Sequence, residues 1–161
     1  MSTLDPQFFK PFIQGTLSTL KIQCFLEATP EKPFFKDKQE QVSIEIAGVI
    51  GLTSSAFNGT IALCFPAAVF LVIMSNMLGE KFGEITRDLE DGAAEMLNMI
   101  FGQAKVTLNE QGHNIEKAIP TVVRGVGIQI HNLAKAQTLV LPFKTSAGPF
   151  YVEICTEQKV Q

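Results

Sequence analysis

The sequence predicts an α+β domain, a mainly antiparallel sheet with helices packed on it. Two strand pairs joined by short turns carry the sheet, at Gln41 to Phe65 and at Gln137 to Cys155. Strands that follow one another through tight turns pair antiparallel. Helical patterns stand at the start and in the middle of the chain and do not alternate with every strand. The 161 residues are 46% hydrophobic and 18% charged, which suits a single domain over residues 1–161 with a real core.

Leu4 to Glu27 reads as the first helix. Asp5 suits its N-cap and Pro6 its first position. Phe8, Phe12, Leu17 and Leu20 recur at helical spacing, and Pro11 and Gly15 draw the expected start toward Pro11. Thr29 to Gln41, with Pro30 and Pro33, reads as a loop or a short edge strand. Val42, Ile44 and Ile46 alternate with Ser43 and Glu45, the period of a half-buried strand, which continues through AGVIGL. Gly48 and Gly51 there point to bulges or close backbone approach. SSAFNG, residues 54–59, carries turn chemistry that includes Asn58-Gly59, and TIALCF returns as the partner strand.

Ile61 to Leu78 holds 18 residues without a charge, close to a membrane span. Pro66, Ser75 and Asn76 interrupt it and no basic cluster flanks it, so a strand running into a buried helix explains it better. That helix runs from Pro66 to Leu78 and stops at Gly79. A longer helix follows over Arg87 to Lys105, then a turn at Asn109 to Asn114. Four strand-like segments close the chain: Thr121 to Val123, Val126 to Asn132, Gln137 to Phe143 and Phe150 to Cys155. Ser146 to Pro149 is the last hairpin turn. GVIGL…TIALCFP is faintly echoed by GVGIQI…TLVLPF, too thinly to carry an argument.

Several chemistries are excluded. Net charge is −3 with no basic run, which argues against nucleic acid. Cys24, Cys64 and Cys155 are far apart and form no C-x-x-C, so they read as buried thiols of a cytoplasmic protein. The N-terminus has no secretory pattern. His113 and His131 lack metal-ligand spacing, and there is no nucleophile elbow, P-loop or complete dinucleotide fingerprint. An enzyme built on this chain would use neither a protein nucleophile nor a metal or cofactor of its own.

What remains is a stripe on the Arg87 to Lys105 helix. At about 100° per residue, Asp91, Glu95, Asn98 and Gly102 share an arc about 60° wide. Leu89, Ala93, Met96, Leu97, Ile100 and Ala104 take the other side. By itself the stripe is what the wet face of any amphipathic helix shows.

Asp91-x-x-x-Glu95-x-x-Asn98, followed by Pro120, resembles the signature of the CheC/CheX/FliY chemotaxis phosphatases. The gap of 21 residues between Asn98 and Pro120 is one short of the family's usual spacing. AGVIG, the hairpin, the strand ending in Pro66 and MLGE before the signature helix fit as well. The corresponding place in the first helix has Phe9 and Phe12 where a second signature would have Glu and Asn, so one site per chain is implied. The resemblance is closest to the stand-alone CheX type. It implies an α/β sandwich, a homodimer, and a phosphorylated CheY-like receiver domain as partner. The implied reaction is hydrolysis of the receiver's aspartyl phosphate, with Mg²⁺ and a lysine supplied by the receiver. It makes Asn98 the residue that positions water and Glu95 the carboxylate that pairs with the receiver's lysine. Asp91, Met99, Gly102 and Pro120 are supporting residues, and the Phe-rich segments and last strands are candidates for the dimer interface. The alternative of another class is a non-catalytic module that docks a receiver or another signalling protein.

Overall fold

The computed structural model describes residues 5–36, 42–117, 119–131 and 137–158. Leu4, Gln41 and Asn132, at the ends of expected elements, lie outside the described residues. Helix α1 spans Pro6–Cys24. The Asp5 side chain accepts from the Gln7 backbone N–H at 2.9 Å, satisfying one of the donors a helix start leaves open. The helix runs through Pro11 and does not begin there. The Asp5 cap sets the first turn, and Phe8 and Phe12, both fully buried, hold it against the core.

Strands β1 (Ala28–Pro30) and β2 (Phe34–Phe35) follow, then β3 (Ile46–Thr53) and β4 (Phe57–Phe65). Asn58-Gly59 does not form the turn. Thr53 pairs with Asn58 and both Asn58 and Gly59 lie within β4. The loop is closed one step earlier, where the Ser54 hydroxyl oxygen accepts from the backbone N–H groups of Ala56 and Phe57, each at 3.1 Å. Helix α2 (Ala67–Leu78) ends at Gly79 in the left-handed conformation (φ 69°), as the sequence predicts. Helix α3 spans Arg87–Glu110, five residues beyond the expected end at Lys105. Then come β5 (Glu116–Lys117), β6 (Thr121–Arg124), β7 (Leu139–Thr145) and β8 (Gly148–Gln158).

Val126 to Asn132 is a correction, because residues 126–131 form no strand. Gly127 takes a positive φ of 60°, which breaks an extended run. The segment is tied instead to the chain ahead of β3, by Gly125 N–H to Glu45 C=O and Ile128 N–H to Ile44 C=O.

All strand pairings are antiparallel, in the order β1-β7-β8-β4-β3-β5, with β2 also on β7 and β6 also on β3. The last strands are interior: β8 lies between β4 and β7, and β7 between β8 and β1. Phe143 and Phe150 are buried and stacked, ring centroids 5.0 Å apart. Neither strand therefore has a free edge for strand pairing with a second copy.

Period-two alternation sorts the sheet into two faces. Ile46, Ile50, Ile61, Leu63, Phe65, Val152 and Ile154 join the helices in the main core. Ala47, Ala62 and Cys64 point the other way and join Ile44, with Ile128, Ile130 and Tyr151 packed around them. Helix α3 can sit close to β3 because Gly48 has no side chain. A Cβ there would lie 3.0 Å from the Ala93 carbonyl oxygen. The same holds between α1 and α3, where a Cβ on Gly15 would lie 2.9 Å from the Ile100 oxygen. Two backbone approaches thus set the position of α3, the helix that carries the stripe.

Candidate functional site

Helix α3 begins with Asp88 and Glu90 in its first turn, where carboxylates complement the positive end of the helix dipole. Leu89, Ala93, Met96, Leu97, Ile100, Ala104 and Leu108 are buried at helical spacing. Full burial of a Leu or Ile is worth about 1.5–3 kcal/mol, so this row fixes the helix's rotation firmly. The opposite arc is thereby turned out of the core.

Asp91, Glu95 and Gly102 are exposed on that arc, and Asn98 is half-buried. The Asn98 Oδ1 atom is buried and has no hydrogen-bond partner among the described residues. Leaving a buried acceptor without a partner costs about 1–3 kcal/mol. A helix position with that cost is better filled by alanine unless the amide serves something beyond the fold. Gly102 stands in the open: no heavy atom lies within 4 Å of where its Cβ would be. One turn from Asn98 the surface is therefore bare backbone, accessible to a partner. Met99 is half-buried and packs against the core from the side of the arc.

Strand β6 forms one wall. Arg124 Nη1 donates to Glu90 Oε1 at 2.9 Å, tying β6 to α3. Val122 pairs with Gly48, which lies beneath Ala93. Pro120 is half-buried and immediately precedes β6. Around the axis Asn98 stands about 80° from Glu90, while Glu95 stands about 140° and Met99 about 180° from it. Asn98 thus leans toward the β6 wall and Met99 toward α1. The fold brings Asp91, Glu95, Asn98 and Gly102 onto one surface and places Pro120 at the start of the strand that flanks it. The Glu90–Arg124 pair escapes the sequence reading because its members are 34 residues apart with no local pattern joining them.

Chemically, the surface offers carboxylates for a cation and an amide that both donates and accepts. Among the described residues no group of three His, Cys, Asp or Glu could hold a metal ion. No described helix is long and apolar enough to cross a membrane.

The family described as chemotaxis phosphatase CheX matches residues 46–144, from the first residue of β3 through α3 and Pro120 into β7. This chain belongs to the CheX family. Solved structures agree over nearly the whole chain. CheX from Vibrio vulnificus is 32% identical, with 94% of this chain and 99% of that one covered and a TM-score of 0.88. A CheC-like superfamily protein from Shewanella sp. PV-4 is 32% identical, with 96% and 99% covered and a TM-score of 0.89. A CheX–CheY–BeF₃–Mg²⁺ complex from Borrelia burgdorferi is matched at 20% identity, with 95% and 98% covered and a TM-score of 0.76, and shows the same fold. No curated protein matches the chain. Membership in the CheX family makes this a chemotaxis phosphatase in the family's broad sense, and the three helices on an antiparallel sheet are the CheX fold.

Proposed function

We propose that this protein hydrolyses the aspartyl phosphate of a CheY-like receiver domain and that Asn98 positions the attacking water. The observation that carries this reading is the buried, unpartnered Oδ1 of Asn98 on an otherwise exposed stripe, one turn from Glu95. The Borrelia complex, in which a CheX is seated with a CheY, supports the choice of partner.

An aspartyl phosphate is an acyl phosphate and already labile. Little covalent assistance is needed; what limits the rate is placing water in line with the scissile bond. The water oxygen bonds to phosphorus, the bond from phosphorus to the aspartyl oxygen breaks, and the products are a carboxylate and inorganic phosphate. The receiver supplies its own Mg²⁺ and lysine to hold the phosphoryl oxygens. Asn98 holds the water through hydrogen bonds of its side-chain amide, which can both donate and accept. Glu95 pairs with the receiver's lysine and sets the docking register. Asp91 supports the acidic end of the stripe, and Gly102 lets the receiver's backbone come close. Met99 backs the stripe from the α1 side, and Pro120 starts the β6 wall.

Release of inorganic phosphate from a phosphorylated CheY-like receiver is the test. A rate that this protein leaves unchanged overturns the proposal; if binding persists without turnover, the chain is a docking module. Glu95→Ala is expected to weaken binding and turnover together by roughly ten- to a hundredfold, the scale of a charge-assisted hydrogen bond at about 1.5–3 kcal/mol. Titration of the activated receiver reads the binding part, and unaltered affinity would remove the lysine-pairing role.

The protein works as a homodimer in this reading. β6 has no partner on its outer edge among the described residues, and Ile119, Val123 and Val126 are exposed along it. Light scattering at micromolar concentration should give twice the chain mass; a monomer there would contradict it.

A further inference from the structure

Strand β6 is the outermost strand on its side of the sheet, paired to β3 and to nothing beyond it among the described residues. A strand held along one edge owes its distance from a neighbouring helix to few bonds. Alternation sends Val122 and Arg124 to the same face of the sheet, with Pro120 one step before them in that row. That face is the one toward α3: Val122 packs against the main core, and Arg124 Nη1 donates to Glu90 Oε1 at 2.9 Å. Among the described residues this is the one side-chain bond that joins β6 to α3. The Arg124 side chain is 43% and that of Glu90 31% exposed, and an ion pair so exposed adds little to stability. What it does fix is geometry.

That geometry reaches the stripe. Gly48 pairs with Val122 and lies against Ala93, with the Leu97 side chain also near. Val122 is therefore level with the stretch of α3 between Ala93 and Leu97. Two strand residues span about 7 Å, or about four to five residues of α-helix. Taken toward the C-terminus of β6, that step puts Arg124 level with Glu90, where its bond is observed. Taken the other way, it puts Pro120 level with Asn98 to within about one turn. Asn98 also lies on the side of α3 that helix geometry turns toward β6. The strand and the helix thus run past one another in opposite directions, tied at the Arg124 end and flanking Asn98 at the other.

We infer that Arg124 is a positioning residue for the phosphatase site: bound to Glu90, its guanidinium holds β6 at a fixed distance from α3 and so sets the room around the Asn98 amide. This rests on the reading under Proposed function and adds to it a residue that acts through another. The buried Oδ1 of Asn98 has no hydrogen-bond partner among the described residues. No bond to that oxygen fixes the amide's orientation, so the walls around it do. The reaction is sensitive to such placement, since a displacement of about 1 Å can cost about a hundredfold in rate. Loss of one exposed tie, with the pairing of β6 to β3 intact, should cost less than that.

The test is a double-mutant cycle on the full chain: Arg124→Gln, Glu90→Gln and the two together. The kcat for phosphate release from a phosphorylated CheY-like receiver should fall about tenfold in each single variant and no further in the double. Kd for the receiver held active by beryllofluoride and Mg²⁺ should stay within about twofold of wild type, and the melting temperature within about 4 °C. In the free protein the NMR signals of the Asn98 side-chain amide should shift, and shift alike, in both single variants. A kcat within twofold of wild type overturns the inference, as do single-variant losses that multiply in the double. A tenfold rise in Kd for Arg124→Gln with kcat kept also overturns it, because Arg124 would then bind the receiver directly. If wild type releases no phosphate, the phosphatase reading fails by itself. The Asn98 signals still decide this inference in that case, and signals that stay in place overturn it.

Discussion

Asn98→Ala is expected to slow dephosphorylation of the receiver by about a hundredfold, the scale of losing a positioned nucleophile. That is about 2.7 kcal/mol of transition-state stabilisation. The same substitution should leave the fold as stable or more stable. It removes a buried acceptor that no described group satisfies, and it replaces asparagine by the best helix former. Receiver affinity should stay near wild type, because Glu95 and the flanks remain. Phosphate release, a thermal melt and a binding titration on one preparation separate the outcomes. Rate loss at equal or higher melting temperature marks a residue kept for chemistry at some cost to the fold. Rate loss together with a lower melting temperature would make Asn98 structural and end the water-positioning role.

The contrast among the stripe residues has a plain origin. Rotation of α3 is set by seven buried side chains and two glycine approaches, so the arc opposite them can be read from spacing alone. That is why Asp91, Glu95, Asn98 and Gly102 were legible in the sequence. Spacing could not say which of them the surroundings would enclose. Asn98 is half-buried, on the side of α3 that helix geometry turns toward β6, and β6 reaches its place through pairing with β3 far earlier in the chain.

The fold was legible for a similar reason, and its misreadings are instructive. Val126, Ile128 and Ile130 alternate as a strand would. Ile128 and Ile130 do pack against the sheet's second face, yet the segment joins no ladder. Alternation records which side chains are buried and not which backbone groups are paired. Asn58-Gly59 is a strong turn signal, but the Ser54 hydroxyl closes the loop first and register carries the dipeptide into β4. Contacts over long separations leave no local trace. Lys36 and Glu153 are 117 residues apart, and nothing near either announces the other.

That pair gives the second large effect. Glu153 is 3% exposed on the second face of the sheet, where both its carboxylate oxygens accept from Lys36 Nζ, at 2.9 and 3.1 Å. Lys36 also donates to the Ile130 carbonyl at 2.8 Å, so it clamps the segment after β6 onto the end of β2. Burial pushes the Glu153 carboxyl above its ordinary value of 4.5, and the Lys36 hydrogen bond, the Lys36 charge and then His131 draw it back. Lys36→Met keeps the aliphatic stem and removes every bond from the ammonium. The expected loss is about 2–3 kcal/mol at pH 8, at or below the ~3–5 kcal/mol for breaking a fully buried pair, because Lys36 is one-quarter exposed. A carboxyl whose folded pKa is raised contributes stability fully below its unfolded pKa and loses it as pH rises through the folded value. Without Lys36 the folded value rises further, so the deficit against wild type should be small near pH 5 and grow toward pH 8. Urea unfolding at both pH values reads this directly, and a deficit independent of pH would place its cause outside Glu153. Adding Glu153→Gln should recover much of the loss at pH 8, since a neutral amide no longer needs a buried cation. The clamped segment leads back to β6, the wall beside Asn98, so the single variant should also loosen the site. That loosening should disappear in the double variant only if Lys36 acts through the buried charge and not through its bond to Ile130.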